Sequence, residues 1–217
     1  MRSLRPAGTV ACLALLLLSA EARGETPATV YIQPLGAALA DADVELVVTA
    51  LREVYALSVK QLPRVELPAA AWYAPRKRYR AEKLLAFLTD RKPADGMRIL
   101  GLTAVDISTT KGKVFDWGVL GLGDLDGPAA VISTFRARKK ARDDRHVRER
   151  LAKVAVHEIG HTLGLPHCPN AGCLMEDAEG TVGKTDTEYD LCSRCRTLLM
   201  EGGHSIPAMP NLPWPKP

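Results

Sequence analysis

Residues 157–167 read His157-Glu158-Ile159-Gly160-His161-Thr162-Leu163-Gly164-Leu165-Pro166-His167, the pattern H-E-x-x-H-x-x-G-x-x-H. Two histidines four apart on a helix project from one face, one turn apart, so both imidazoles can reach a single ion. Glu158 lies between them, offset so that its carboxylate reaches the open coordination position instead of binding the metal. Gly164 can take the left-handed backbone that ends a helix, after which the chain turns back to deliver His167 as third ligand. Three neutral imidazoles leave a fourth position to water, whose pKa Zn²⁺ lowers to roughly 7. Glu158 would accept that water's proton as hydroxide attacks a carbonyl, then pass it to the leaving nitrogen. The chain holds only five histidines, so three at these offsets, with Glu and Gly in place, argue against incidental histidines on an amphipathic helix. His146 and His204 fall outside the pattern and are expected on the surface.

Four cysteines follow: Cys168, Cys173, Cys192 and Cys195, in the order C-x4-C…C-x2-C. That is metal-ligand spacing. A capping box, Thr185-Asp186-Thr187-Glu188, predicts a helix that carries Cys192 and Cys195 on one face. Two thiolates from a loop and two from a helix can close a tetrahedral site. A pair of disulfides crossing between the halves is the alternative that an oxidising compartment makes credible.

The N-terminus supplies that compartment. Residues 1–22 begin with Arg2 and Arg5, continue through an apolar run at 10–20, and end in Ala20-Glu21-Ala22, small residues at the spacing of a signal-peptidase site. The run is shorter than the ~18–20 residues that span a bilayer, and no later stretch approaches that length. An exported protein, periplasmic or secreted, is expected after cleavage near Ala22, with no membrane span in the mature chain. Cys12 leaves with the leader.

Between leader and motif the pattern alternates strand-like and helix-like segments. Residues 29–33 read as a first strand. Asp41 or Asp43 can cap a helix whose apolar side is Val44, Val47, Leu51, Val54 and Tyr55. A second helix carries Leu84, Leu85 and Leu88, entered through a basic cluster at 76–80 that reads as solvated. Residues 97–107 look like one buried strand, with further strands at 114–120 and 129–134. The glycine-rich 121–127 reads as a loop, lacking the third glycine and the Lys-Ser/Thr of a phosphate cradle. The basic run 136–153 reads as a solvated helix face. From Gly202 onward five prolines predict an extended, flexible tail that packs little.

Hydrophobic residues make up 47% and charged residues 25% of the chain, an ordinary globular mixture that excludes a largely disordered protein. A net charge of +4 is too mild to argue for a nucleic-acid binder. The expected organisation is a leader at 1–22, one domain at 23–201 and a tail at 202–217.

The run from His157 to Cys195 resembles the archaemetzincins, a branch of the metzincin metalloproteases. Their hallmark, H-E-x-x-H-x-x-G-x3-C-x4-C-x-M followed by C-x-x-C, is met by His157, Glu158, His161, Gly164, Cys168, Cys173, Met175, Cys192 and Cys195. Residues 79–85, 101–106, 114–118 and 130–136 are similar to the family in order and character. The resemblance implies an α+β, zincin-like fold: a mixed twisted β-sheet, a backing helix, an active-site helix and a small C-terminal lobe. It implies a catalytic zinc on His157, His161 and His167, Glu158 as general base, and a second, structural zinc on the four cysteines. Met175 would form the Met-turn beneath the catalytic ion. An upper-rim strand, near 114–120 or 129–134, would hold extended peptide by main-chain pairing. Asp177 stands where some metzincins place an additional tyrosine ligand.

The function expected is a zinc-dependent metallopeptidase acting as a monomer on peptides or proteins, with no nucleic-acid partner. Two other readings share the scaffold: a zinc-containing peptide-binding module with little turnover, and a zinc amidohydrolase acting on a non-peptide substrate. The intact Glu158 speaks against the binding module, since losing that base is the simplest route to an inactive protease.

Overall fold

The structure, a computed structural model, describes residues 28–37 and 39–216; the expected leader lies outside the described residues. In chain order the elements are β1 (Thr29–Leu35), α1 (Asp41–Tyr55), β2 (Ser58–Gln61), β3 (Trp72–Tyr73), β4 (Arg78–Arg80), α2 (Ala81–Arg91), β5 (Arg98–Thr103), β6 (Ile107–Lys111), β7 (Val114–Val119), β8 (Gly121–Gly123), β9 (Ala129–Ser133), α3 (Thr134–Ala137), α4 (Asp144–Thr162) and α5 (Ser193–Glu201).

The main sheet has the order β2-β1-β5-β9-β8. Its first four strands are parallel and β8 runs antiparallel at the edge. The central strands are apolar on both faces because helices cover both. Val30, Ile32, Leu100, Leu102, Ala130 and Ile132 pack with α1 and α4, while Tyr31, Ile99, Ala129 and Val131 pack with α2. The helix sides expected from spacing are the ones buried: Val44, Val47, Leu51, Val54 and Tyr55 on α1, and Leu84, Leu85 and Leu88 on α2. Helix α1 lies against α4, the backing helix behind the active-site helix. Both aspartates sit inside the first turn of α1, where they favour the helix dipole, and Ala40 holds the cap position without a side-chain bond.

Several expectations are corrected. The stretch 97–107 is two strands, not one. β5 ends at Thr103, and Ile107 opens β6 in a second sheet of order β3-β4-β6-β7. The turn between them is set by Asp106, whose carboxylate takes Arg78 at 3.1 Å and Arg136 at 2.7 Å. The cluster at 76–80 is therefore only partly solvated: Arg76 and Lys77 are exposed, but Arg80 is only 3% exposed and Arg78 pairs with both Asp106 and Asp116. The glycine-rich segment is not all loop, since its first three residues form β8. The run 136–153 is only partly a solvated face, because Arg150 and Lys153 are buried.

The C-terminal lobe departs furthest. The capping-box residues do not open a helix; 182–186 form a short 3₁₀ turn, and α5 begins at Ser193 with Cys192 at its cap position. Glu188 is drawn instead to buried Lys153, whose Nζ donates to the carbonyls of Thr185 and Glu188 at 2.8 and 2.6 Å. His146 is buried, not exposed: its Nε2 lies 2.7 Å from an Asp186 oxygen and its Nδ1 accepts from the Arg142 N–H. The tail carries no helix or strand, yet it packs. Trp214 is 3% exposed with its indole N–H on the Tyr189 carbonyl, and Arg196 donates to the Pro207 carbonyl.

Candidate metal centre

Helix α4 delivers His157 and His161 to one face. Its C-terminal carbonyls are satisfied from three sides, by the Leu165 N–H on Gly160, the Asp126 N–H on His161 and Arg98 Nε on Thr162. Gly164 takes φ +87°, the left-handed conformation expected of it, and the chain doubles back so that His167 joins the other two. One ring nitrogen from each of the three histidines lies within 4.8 Å of the others.

The tautomers follow from the partners. His157 Nδ1 faces the Leu174 carbonyl at 2.7 Å and His161 Nδ1 faces the Leu165 carbonyl at 2.8 Å. A carbonyl can only accept, so each Nδ1 carries the hydrogen and each Nε2 presents a bare lone pair. Those two lone pairs approach to 3.0 Å, an arrangement that repels unless a cation sits against both. Burial and the neighbouring imidazoles push His157 down to about 3, and burial also lowers His161. Both are thus neutral, the form that ligates metal. The residues fit a zinc ion.

Glu158 sits beside them, 7% exposed. Burial pushes its carboxyl up to about 8, opposed by a hydrogen bond from the Gly123 N–H. The edge strand β8 explains how helix and sheet close around it. A Cβ at Gly121 would stand 2.6 Å from the Glu158 carboxylate oxygen, and one at Gly123 would stand 2.5 Å from the Glu158 carbonyl oxygen. Residues two apart on a strand share a face, so Gly121 and Gly123 together clear the face that receives this glutamate. Gly160 does the same below: a Cβ there would meet Met175 Sδ at 2.5 Å and Tyr55 Oη at 2.8 Å. Met175 is fully buried beneath the helix, and Tyr55 donates to the Val156 carbonyl at 2.8 Å.

The four cysteines are free thiols with no disulfide among them. Cys168 and Cys192 sulfurs lie 3.6 Å apart and those of Cys173 and Cys195 3.7 Å apart. All four fall within 4.8 Å of one another. A tetrahedron with Zn–S bonds of about 2.3 Å has edges of about 3.8 Å, so these sulfurs fit zinc. Their acidities point the same way. Hydrogen bonds from Cys195 and from backbone N–H groups push Cys173 down to about 5, whereas the thiolate so formed and burial push Cys195 far up. One thiolate forms readily; ionising all four requires a cation to offset the repulsion. The N–H of Cys192 and the Asn170 amide also point at sulfurs of the cluster.

The two clusters share backbone. Cys168 follows His167, and Leu174, whose carbonyl orients His157, follows Cys173. The Cys168 N–H donates to the Met175 carbonyl at 2.7 Å, tying the Met-turn to the cysteine loop. Asp177 lies 3.8 Å from His167 Nδ1 and 3.9 Å from Lys111 Nζ.

The histidines and Glu158 open on a cleft of about 960 Å³, walled by β6, β7 and β8 on one side and by 177–188 on the other. The expected histidines and cysteines thus form two clusters, with Glu158 in the cleft beside the first and Met175 beneath its helix. Gly121, Gly123, Gly160 and Tyr55 were missed as shapers of the site. The available signal was Gly121-Leu122-Gly123 itself, read on strand geometry instead of as a phosphate loop.

The model of peptidase family M54 matches residues 39–201. The archaemetzincin of Haloquadratum walsbyi is 35% identical over 158 residues, covering 69% of this chain and 87% of that protein. That of Archaeoglobus fulgidus is 34% identical over 170 residues, covering 78% and 98%. Among solved structures, the Archaeoglobus fulgidus archaemetzincin complexed with malonate aligns with a TM-score of 0.66, covering 78% of this chain and 99% of that one. The Methanopyrus kandleri archaemetzincin, 29% identical, aligns with a TM-score of 0.71 over 83% and 97%.

Proposed function

Because the chain belongs to peptidase family M54, the archaemetzincins, and is a zinc metallopeptidase, we propose that it is an exported monomeric enzyme whose hydrolytic base is Glu158. In this reading His157, His161 and His167 hold the catalytic zinc, and Cys168, Cys173, Cys192 and Cys195 hold a second, structural one. A zinc ion held by these histidines would supply Lewis acidity. The rest of the chemistry belongs to the chain. Glu158, whose carboxylate form a cation on the three neighbouring histidines would favour against the effect of burial, accepts the proton of the attacking water and returns it to the amide nitrogen as the C–N bond breaks. Its burial excludes bulk water that would compete for the proton, and the Gly123 N–H keeps the carboxylate aimed at the cleft. The Leu174 carbonyl holds the His157 ring at Nδ1, and Met175 packs beneath the helix at Gly160.

Substrate peptides lie along β8. The expectation that 129–134 serves as the rim strand is corrected, because β9 is interior, flanked by β5 and β8. β8 is the edge strand of the main sheet and it touches Glu158, so an extended peptide pairing with it brings its carbonyl to the base. The observation that carries the reading is this juxtaposition of three convergent imidazoles and a buried carboxylate against an open strand edge. Among the described residues no helix is long and apolar enough to cross a membrane.

The test is Glu158→Ala in the purified mature protein, assayed on a peptide library with a chelator control. Hydrolysis should fall by a factor of about 10³ or more while zinc content holds. Equal activity in the variant would defeat the assignment of the base. A chain starting near Arg23 in the exported fraction is the expected mature form; finding residues 1–22 retained there would defeat the leader.

A further inference from the structure

Beyond the metal the cleft follows α4 toward its N-terminus. Arg150, Val154, His157 and His161 recur at helical spacing and all line it, so Arg150 stands two turns, about 10 Å along the axis, from His157. Three walls meet at that far end: the helix, the 3₁₀ segment at 182–186, and the turn after α3 that carries Lys139 and Lys140.

The charges there are unequally matched. Lys111 pairs with Asp177, Arg136 binds Asp106 through two nitrogens, and Arg150 binds Asp186 through two more at 2.7 Å. Asp177 and Asp186 are thereby occupied, and Glu188 is buried behind the wall beside Lys153, its carboxyl pushed up by burial. Lys139 and Lys140 are exposed and have no acidic partner within 4.0 Å among the described residues. The turn that presents them is fixed from inside. Arg150 Nη1 donates to the Ala137 and Lys139 carbonyls at 3.0 and 2.8 Å, and the Lys139 N–H donates to Arg136.

From this arrangement we propose that Lys139 and Lys140 select substrates bearing a carboxylate about 10 Å from the scissile carbonyl, held at the far end of the cleft. That distance is spanned by about three residues of extended peptide. The carboxylate is an aspartate or glutamate side chain or a free C-terminus. Val119, Leu120, Val154 and Val182 line the path between, so the intervening contacts are apolar and the lysines decide charge preference. The inference rests on the peptidase reading above and names its substrate class.

The experiment uses matched peptides with Glu, Gln or Lys at each position within three residues of the scissile bond, each as C-terminal acid and amide. Glu should exceed Lys by about tenfold in kcat/KM at a position within reach, carried in KM, as expected for two exposed charge pairs. Raising salt to about 0.5 M should remove most of the preference. Lys139→Glu/Lys140→Glu should invert it, with an unaltered melting temperature since both side chains are exposed. A preference following acid over amide ends, whatever the side chains, identifies a terminal carboxylate. Ratios within twofold at every position and both ends, or an unchanged ratio in the double variant, would overturn the proposal. If no peptide is cleaved at all, the peptidase reading fails separately. Fluorescence anisotropy of the same peptides on Glu158→Gln protein still tests the lysines: acidic probes should bind about tenfold tighter than basic ones, and equal binding would overturn the proposal.

Discussion

The two ligand clusters share one stretch of chain and differ in what surrounds them. The cysteine cluster is nearly sealed: three of its four residues are buried, its sulfurs sit on the edges of a closed tetrahedron, and backbone N–H groups fill its outer shell. The histidine cluster has three members, two half-buried and one exposed, and its remaining corner faces the cleft. A closed set of ligands contributes to stability and little else, while an open one supplies reactivity. The difference teaches why the lobe is built as it is. The sealed site lies directly behind the open one, so the loop that folds on the cysteines is the loop that orients His157 and delivers His167.

The comparison is broken most severely by removing a cysteine. Cys173→Ala should leave three thiols around a hole in the lobe's core and lower the melting temperature by about 10 °C or more, since several kcal/mol of metal-linked folding are lost. Differential scanning calorimetry with parallel metal analysis checks this. A small shift with the metal count unchanged would show that the cluster is not structural. The mirror experiment is His161→Ala, which should cost a factor of about 10³ or more in kcat/KM yet move the melting temperature by only about 2–4 °C. A large stability loss would erase the distinction between the two sites.

Gly123→Ala sharpens the contrast without touching a ligand. Its Cβ would press on a backbone carbonyl that cannot rotate away, so about 1–3 kcal/mol of destabilisation and a loss in kcat/KM of about tenfold or more are expected. Gly183→Ala, which meets nothing within 4 Å, should stay within about 0.5 kcal/mol. Comparable behaviour of the two variants would remove the case for β8 as a shaped edge. The smallest effect lies in the wall of the cleft. Arg150 and His146 hold the Asp186 carboxyl down at about 2 against an ordinary 3.8. A depressed carboxylate stabilises the fold above its unfolded pKa, and that contribution disappears as pH falls from about 4 through 2. Asp186→Asn should therefore be less stable by about 1–2 kcal/mol at pH 6, allowing for its partial exposure, and match the parent at pH 2 in urea titrations.

What the sequence did not disclose has a common cause. The clusters at 76–80 and 136–153 looked solvated because each was judged by its own residues. Arg78, Arg80 and Arg136 are drawn inward by Asp106 and Asp116, and Arg150 by Asp186, 28 to 38 positions away along the chain. His146 went inside for the same reason. Trp214 illustrates it for the tail: prolines argue against regular structure, yet one indole with a carbonyl partner is enough to seat an irregular segment.

The candidate ligands, their order and the helix that carries His157 and His161 were determined by the sequence alone. They lie within 39 residues, and their relations are local: a helical turn between His157 and His161, a left-handed glycine before His167, a fixed step to Cys168. Local geometry is set by sterics and spacing, which a string of residues states outright. Tertiary structure decided which edge the glycines form, which arginines are buried, and where the cleft ends beside two exposed lysines. Those depend on segments distant in the chain meeting in space, and charge or burial is a property of that meeting, not of any residue by itself.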